Sequence, residues 1–269
     1  MALMYHYCSP QTFLQIMEKN HLWLSSMKNM NDFSEGLWVK DAFHKAVTEL
    51  RKLYGHEWGC QVHDNFIGNY MPRYICCFSK DGDSLSQWRA YAQDGEGIAI
   101  GIDDRELSIN KHSLTPNLEP LKSLAVEDVK YMSESEIIED IIRFSKDLNK
   151  KTPSKNDAYL VAKYAIDNSI IVKNPAFKEE KERRVIFSYA PSIGYITSDG
   201  RSSNPLGEIK FRISNGYLTN HFEYNIPLTA IKEIVLGPKN KFSQYDIDLF
   251  LMANARYDVN VKRSSATYR

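Results

Sequence analysis

The pattern of apolar and polar positions changes texture twice along the chain. Near the start, Tyr5-His6-Tyr7 reads as a short strand with aromatic bulk on both faces. Ser9-Pro10 then opens a helix, with serine as the N-cap and proline at the first helical position, where its missing N–H is harmless. Phe13, Leu14, Ile16 and Met17 form the apolar stripe of that helix. An extended segment is predicted over 21–25, a polar turn over 29–35, and a second helix over 36–54 with Phe43, Val47 and Leu50 inward. Residues 74–79 read as a buried strand that 80–83 break. A short helix over 84–92 follows, and Gly95-Glu96-Gly97 turns the chain into a strand over 98–102.

Between 127 and 173 the period shifts. Ile137, Ile138, Ile141, Ile142 and Phe144 recur at helical spacing, a Lys-rich break covers 149–155, and Tyr159, Val161, Tyr164 and Ile166 continue on another helix. The pattern predicts a helical hairpin inserted at about 120–173. A charged run over 178–184 leads into strands at 185–189, 208–213, 222–226 and 231–236, then a helix over 243–255 and a last strand at 259–262. There is no internal repeat. Strands clustered after inserted helices predict an α+β class in one domain spanning 1–269.

Composition narrows the function classes. Lys and Arg number 34 and Asp and Glu 34, so the chain has no overall attraction to nucleic acid and only local patches remain. With 43% apolar and 25% charged residues, disordered, collagen-like and coiled-coil readings fall away. No run approaches the ~20 apolar residues of a membrane span, and the first strand begins without a leader, so no membrane partner and a cytoplasmic location are expected. Cys8, Cys60, Cys76 and Cys77 lack metal-ligand spacing, the adjacent pair pointing to opposite faces of its strand; they read as reduced apolar residues. No metal is expected, for the zinc-protease helix and the acidic calcium loop are both missing. Phosphate-loop and GxSxG signatures are missing too.

What remains is a constellation. His6 lies in the first strand, Phe78-Ser79 ends a middle one, Trp88 and Tyr91 sit on the helix after it, and Glu182 stands at the mouth of a late strand. Each has an ordinary structural reading: a core histidine, core spacing for Trp88 and Tyr91, a solvated charged face for 178–184. Together they suit cleavage of a glycosidic bond to a planar cationic leaving group. Aromatic faces hold the ring while a carboxylate steadies positive charge developing on the sugar. Arg184, two residues on, is the natural partner of Glu182. Asn31, Asp32 and Glu35 either cap the following helix or line the pocket and position an acceptor.

The run Tyr5-His6-Tyr7-Cys8-Ser9-Pro10 into its helix, the unit over 76–102, and Glu182-Arg183-Arg184-Val185-Ile186-Phe187 resemble the ADP-ribosyltransferase fold of the His-Tyr-Glu class. The whole chain is also similar to a bacterial family of uncharacterised proteins, through Tyr5-His6-Tyr7, Asn31-Asp32-Phe33-Ser34-Glu35, Cys77-Phe78-Ser79, Gln87-Trp88-Arg89-Ala90-Tyr91-Ala92 and the charged run ending at Arg184. The resemblance implies a split β-sheet core and NAD as substrate, with no metal. In it, His6 bonds a ribose hydroxyl, the Tyr7 backbone meets the nicotinamide amide, and Phe78 and Tyr91 flank the ring. Ser79, Trp88 and Arg184 surround the same nucleotide, and Glu182 bonds the ribose 2′-OH as the catalytic group beside His6. Two positions depart from the class: Tyr7 replaces a small residue and Phe78 a tyrosine. The implied activity is ADP-ribose transfer to nucleic acid, protein or water, as in a toxin or phage-defence effector with a neutralising partner. The other readings are a nucleotide-binding sensor without turnover and a nuclease-like toxin.

Overall fold

A computed structural model describes residues 3–27, 37–71, 73–107, 109, 114–115, 123–148, 152–189, 195–196, 202–203, 206–214 and 216–267. The first elements follow the local signals. Strand β1 (Met4–Cys8) runs into α1 (Pro10–Lys19), where the Ser9 hydroxyl accepts from the Thr12 amide at 3.1 Å and Asn20 closes the helix in the left-handed region. Strand β2 (His21–Ser26) alternates half-buried and buried side chains, as a strand with one covered face must. Next come α2 (Leu37–Tyr54) and α3 (His56–Asn69). Trp58, Val62 and Phe66 recur every fourth residue on α3, a helical stripe that the segment-by-segment reading passes over.

Strand β3 (Arg73–Ser79), α4 (Leu85–Tyr91) and β4 (Ile98–Ile102) form the middle unit. Gly97 is required between the last two. A Cβ there would stand 2.2 Å from the Cys8 carbonyl oxygen and 2.8 Å from Ala92, so only glycine lets α4 close onto β1.

The inserted helices begin later than the pattern predicts. Residues Leu124–Asp128 form β5 and pair with the main sheet, and only then do short β6 (Lys130–Tyr131), α5 (Glu134–Asp147), α6 (Lys155–Ile171) and β7 (Val172–Lys173) follow. Both helices start on capping boxes, Ser133 with Glu136 and Ser154 with Asp157. They do not form a free-standing hairpin. They pack on α2 and α3, and Phe43, Val47, Leu50, Val62, Ile137 and Val161 share one apolar core.

The remaining strands are β8 (Glu182–Ser188), β9 (Tyr195–Ile196), β10 (Ser202–Ser203), β11 (Lys210–Ser214), β12 (Tyr217–Asn225) and β13 (Ile231–Leu236), then α7 (Gln244–Ala253) and β14 (Asn260–Arg263). The architecture is mixed α+β around a large, mostly antiparallel sheet in the order β11-β12-β2-β3-β1-β4-β13-β14, with β8 and β5 joined through β3.

One irregularity positions everything that follows. Along one edge β3 pairs with β8 over its whole length, from Arg73 with Ser188 to Ser79 with Glu182. Along the other edge it meets two strands: β2 at Tyr74 and Ile75, and β1 only at Ser79. Strands β1 and β2 therefore diverge, and among the described residues the middle of β3 faces a gap on that edge. Helices α1 and α7 cover one face of the sheet through Phe13, Ile16, Ile247 and Leu251. On the other face, α4 packs Trp88 beside Tyr7 while the end of α6 packs Ile170 against Ile75 and Ile186. Among the described residues, that second face stays open between α4 and α6.

Candidate functional site

A cleft of about 280 Å³ fills this opening. Tyr5, His6 and Tyr7 of β1, residues 75–79 of β3, Gln87 and Tyr91 of α4, Lys173 of β7, Glu180, and Glu182 of β8 line it. Trp23, Ser25, Arg212 and Ser214 complete the wall on the far side of the gap. Its volume lies just below the range of about 300–1,000 Å³ usual for ligand sites.

The floor is a buried charge network. Glu182 is 5% exposed and Arg184 1%, and both sit on the same face of β8 because they are two residues apart in a strand. Arg184 grips the carboxylate with a fork, Nε to Oε1 at 2.7 Å and Nη2 to Oε2 at 3.0 Å, and spends Nη1 on the Ile170 carbonyl at 2.6 Å. Lys173 adds a contact to Oε2 at 3.3 Å, and the Cys77 thiol bonds the same carboxylate. Burial opposes ionisation of Glu182, but the Arg184 charge and hydrogen bonds, with Lys173 and Cys77, outweigh it and hold the carboxyl below its usual range.

Glu180 answers differently. Its two oxygens accept from Lys173 at 2.7 Å and from the Tyr91 hydroxyl at 3.2 Å. Burial, aided by the neighbouring Glu182 charge, still wins over Lys173 and pushes this carboxyl above its usual range. Two carboxylates with opposed shifts thus share one lysine. Lys181 between them adopts a left-handed backbone, φ 47°, at the junction of the helical turn Pro175–Glu180 with β8. That conformation costs a lysine about 1 kcal/mol. It sends the Lys181 ammonium outward to Asp81 at 2.9 Å while both glutamates stay on the cleft.

His6 stands at the gap. Along the edge of β3 where β1 and β2 diverge, the Cys77 carbonyl accepts from His6 Nδ1 at 3.0 Å. A carbonyl only accepts, so this bond fixes the tautomer and leaves Nε2 as an acceptor. Burial lowers the pKa of the imidazole, partly offset by the Cys77 bond, so it is neutral near pH 7.

Other candidates divide into those the cleft uses and those it does not. Tyr91 is 40% exposed and stands over Glu180. Tyr7 forms wall, its hydroxyl donating to the Asp81 carbonyl at 2.8 Å and accepting from the Ser84 amide. The Ser79 hydroxyl is buried and donates to the Glu180 carbonyl at 2.7 Å, which ties β3 to the turn carrying Glu180. Trp88 does not reach the cleft: it is fully buried against Tyr7 and Val235, and its indole N–H goes to Asp83 at 2.8 Å. Arg184 touches no cleft space either and acts through Glu182. Phe78 and His6 reach the cleft from the other side of the sheet. Register pairs Phe78 with Arg183 while Ser79 pairs with both Glu182 and Tyr5, so the Phe78 and His6 rings, 5.6 Å apart, lie on the face opposite Glu182 and border the cleft at the gap. Asn31, Asp32 and Glu35 lie outside the described residues.

Sequence reasoning missed Lys173, Glu180, Gln87, Trp23 and Arg212. Lys173 left a faint signal, a lone cation closing the apolar run Ile170-Ile171-Val172. Glu180 was visible as the residue two before Glu182. Among the described residues no three His, Cys, Asp or Glu side chains are grouped to hold a metal ion, and no helix is long and apolar enough to cross a membrane.

Fold and cleft together define an α+β protein with a ligand-sized site at a divergence of two strands. By sequence, residues 87–185 match a family described as "Protein of unknown function (DUF2971)". This agrees with the likeness to an uncharacterised family, and the matched stretch carries Tyr91, Lys173, Glu180 and Glu182. No curated protein and no solved structure matches the chain.

Proposed function

We propose that the cleft binds NAD and breaks the bond between nicotinamide and ribose, passing ADP-ribose to an acceptor or to water. The observation that carries this reading is that His6, Tyr91 and Glu182, from three distant parts of the chain, line one hollow, His6 reaching it through the gap from the opposite sheet face. Diverging β1 and β2 support it, since the resemblance implies a split sheet.

The chemistry follows from the charges. As the C1′–N bond breaks, its electron pair neutralises the pyridinium nitrogen and positive charge moves to the ribose ring, so no acid is needed for the leaving group. Glu182, held ionised, faces that charge. Glu180, with its raised pKa, takes the proton from the attacking hydroxyl as the new bond to C1′ forms. Tyr91 supplies the exposed aromatic face and His6 Nε2 an acceptor for a sugar hydroxyl.

One feature favours a second reading, a sensor that binds without turnover. A carboxylate has about four lone-pair sites. Arg184 Nε, Arg184 Nη2, Lys173 and Cys77 already address those of Glu182. A ribose hydroxyl must displace one donor, and the thiol is the weakest.

Incubation with NAD labelled on the adenylate decides between the readings. Transfer or hydrolysis releases nicotinamide, and Glu182→Gln slows release about 100- to 1,000-fold. Binding without release identifies the sensor. Neither binding nor release overturns both.

A further inference from the structure

Beyond the charge network, the gap between β1 and β2 opens onto a second hollow of about 110 Å³ beside α1. His6, Trp23, Ser25 and Arg212 line both spaces. Arg212 marks the junction. Register on β11, β12 and β2 places Arg212, His221 and Ser25 on the same sheet face as Ile75, the face that carries the cleft. Its guanidinium lies over the Trp23 ring at 4.8 Å, and Nη2 donates to the Ser25 hydroxyl at 3.2 Å. Nε is enclosed and has no acceptor, and no carboxylate among the described residues pairs with the group. Other cations of the sheet differ: Arg184 holds Glu182, Arg183 holds Asp104 and Asp128, and Lys210 holds Glu223. The His221 ring lies tilted against the same indole at 4.5 Å and brings a second enclosed nitrogen without a partner. A partly desolvated arginine with an unused donor, backed by an aromatic plane and opening onto two cavities, lacks one thing, an anion with several acceptor oxygens.

We infer that Arg212, on Trp23, is a phosphate-recognition point joining the two hollows, so that the substrate is a nucleotide carrying phosphate, with one part in each hollow, and not a nucleoside or free base. This rests on the nucleotide reading of the cleft and adds what the substrate must carry. The planar fork takes two phosphate oxygens, the indole holds the fork in place, and Ser25 keeps one donor turned away from solvent.

Calorimetric titration of the full chain tests this with four probes: NAD, ADP, inorganic pyrophosphate and nicotinamide riboside. Wild type binds the three phosphate-bearing probes more tightly than the riboside. Arg212→Gln weakens those three roughly 10- to 100-fold and leaves the riboside within about twofold. Arg212→Lys, which keeps the charge but not the fork, falls between. If Arg212→Gln binds NAD and pyrophosphate as wild type does, or if wild type binds none of the phosphate-bearing probes, the inference is overturned. Binding of ADP and pyrophosphate but not NAD, lost in Arg212→Gln, upholds the phosphate point while the NAD reading falls. Melting without ligand separates a brace from a binding group. An unchanged or raised Tm in Arg212→Gln supports the inference, and a drop of several degrees overturns it.

Discussion

Replacing Glu182 by glutamine takes one negative charge from a floor where Arg184 is 1% and Lys173 6% exposed. Glu180 then faces both cations alone, and of the two it touches only Lys173. Removing one partner of a buried pair typically costs about 3–5 kcal/mol, because the other charge stays desolvated. The glutamine oxygen still accepts one bond from the Arg184 fork, which points to the lower end, about 3 kcal/mol. For a chain of this size each kcal/mol moves Tm by about 2–4 °C, so a drop of about 6–12 °C is expected. Circular dichroism melts of Glu182→Gln, Arg184→Gln and the double variant measure it. The double variant should melt well above the sum of the two losses, since it removes both charges. The sign of the pH dependence follows from the depressed carboxyl. The contribution is complete above the unfolded value near 4.3 and fades as pH falls through the lower folded value, so the gap between wild type and variant narrows in acid. A Glu182→Gln protein melting within about 2 °C of wild type at pH 7 would refute the account of the floor. Nicotinamide release must therefore be assayed well below the variant's Tm, so that lost folding is not read as lost chemistry.

Glu180 gives a milder handle. Activity rises with pH as this raised carboxyl ionises, and Glu180→Gln removes that limb of the profile. Tyr91→Phe deletes a bond that favours the ionised form, so the limb moves to higher pH; a profile unmoved by either change excludes Glu180 as the base. His6 and His221 both have lowered pKa values through burial, so Tm falls as pH drops below the unfolded value of about 6.5, and His6→Gln makes that slope shallower. Lys181→Gly relieves a left-handed lysine at the cost of an exposed ion pair and should change stability by no more than about 1 kcal/mol, whereas Lys181→Val costs more than that; equal denaturation midpoints for the two variants contradict the assigned backbone.

Period and capping residues were enough to locate most elements. Ser9-Pro10 starts α1, the isoleucine ladder marks α5, and Glu182 at the edge of an apolar run marks β8, because each signal is local and written in neighbouring residues. Those same rules placed His6, Tyr91 and Glu182 as candidates, with help from a resemblance, and foresaw Arg184 beside Glu182. Tertiary structure decided the rest. Whether Trp88 meets ligand or core depends on which helix face α4 turns to β1, and whether Phe78 or Ser79 shares a face with Glu182 depends on a one-residue register between distant strands. Lys173 becomes part of the floor only because α6 ends where the β7 side chain reaches Glu182, and Arg212 faces Trp23 only because β11 and β12 extend β2. Such neighbours are set by strand pairing and burial across many tens of residues. No local pattern records them, and the divergence of β1 and β2 that creates the cleft is visible only when both strands lie against β3.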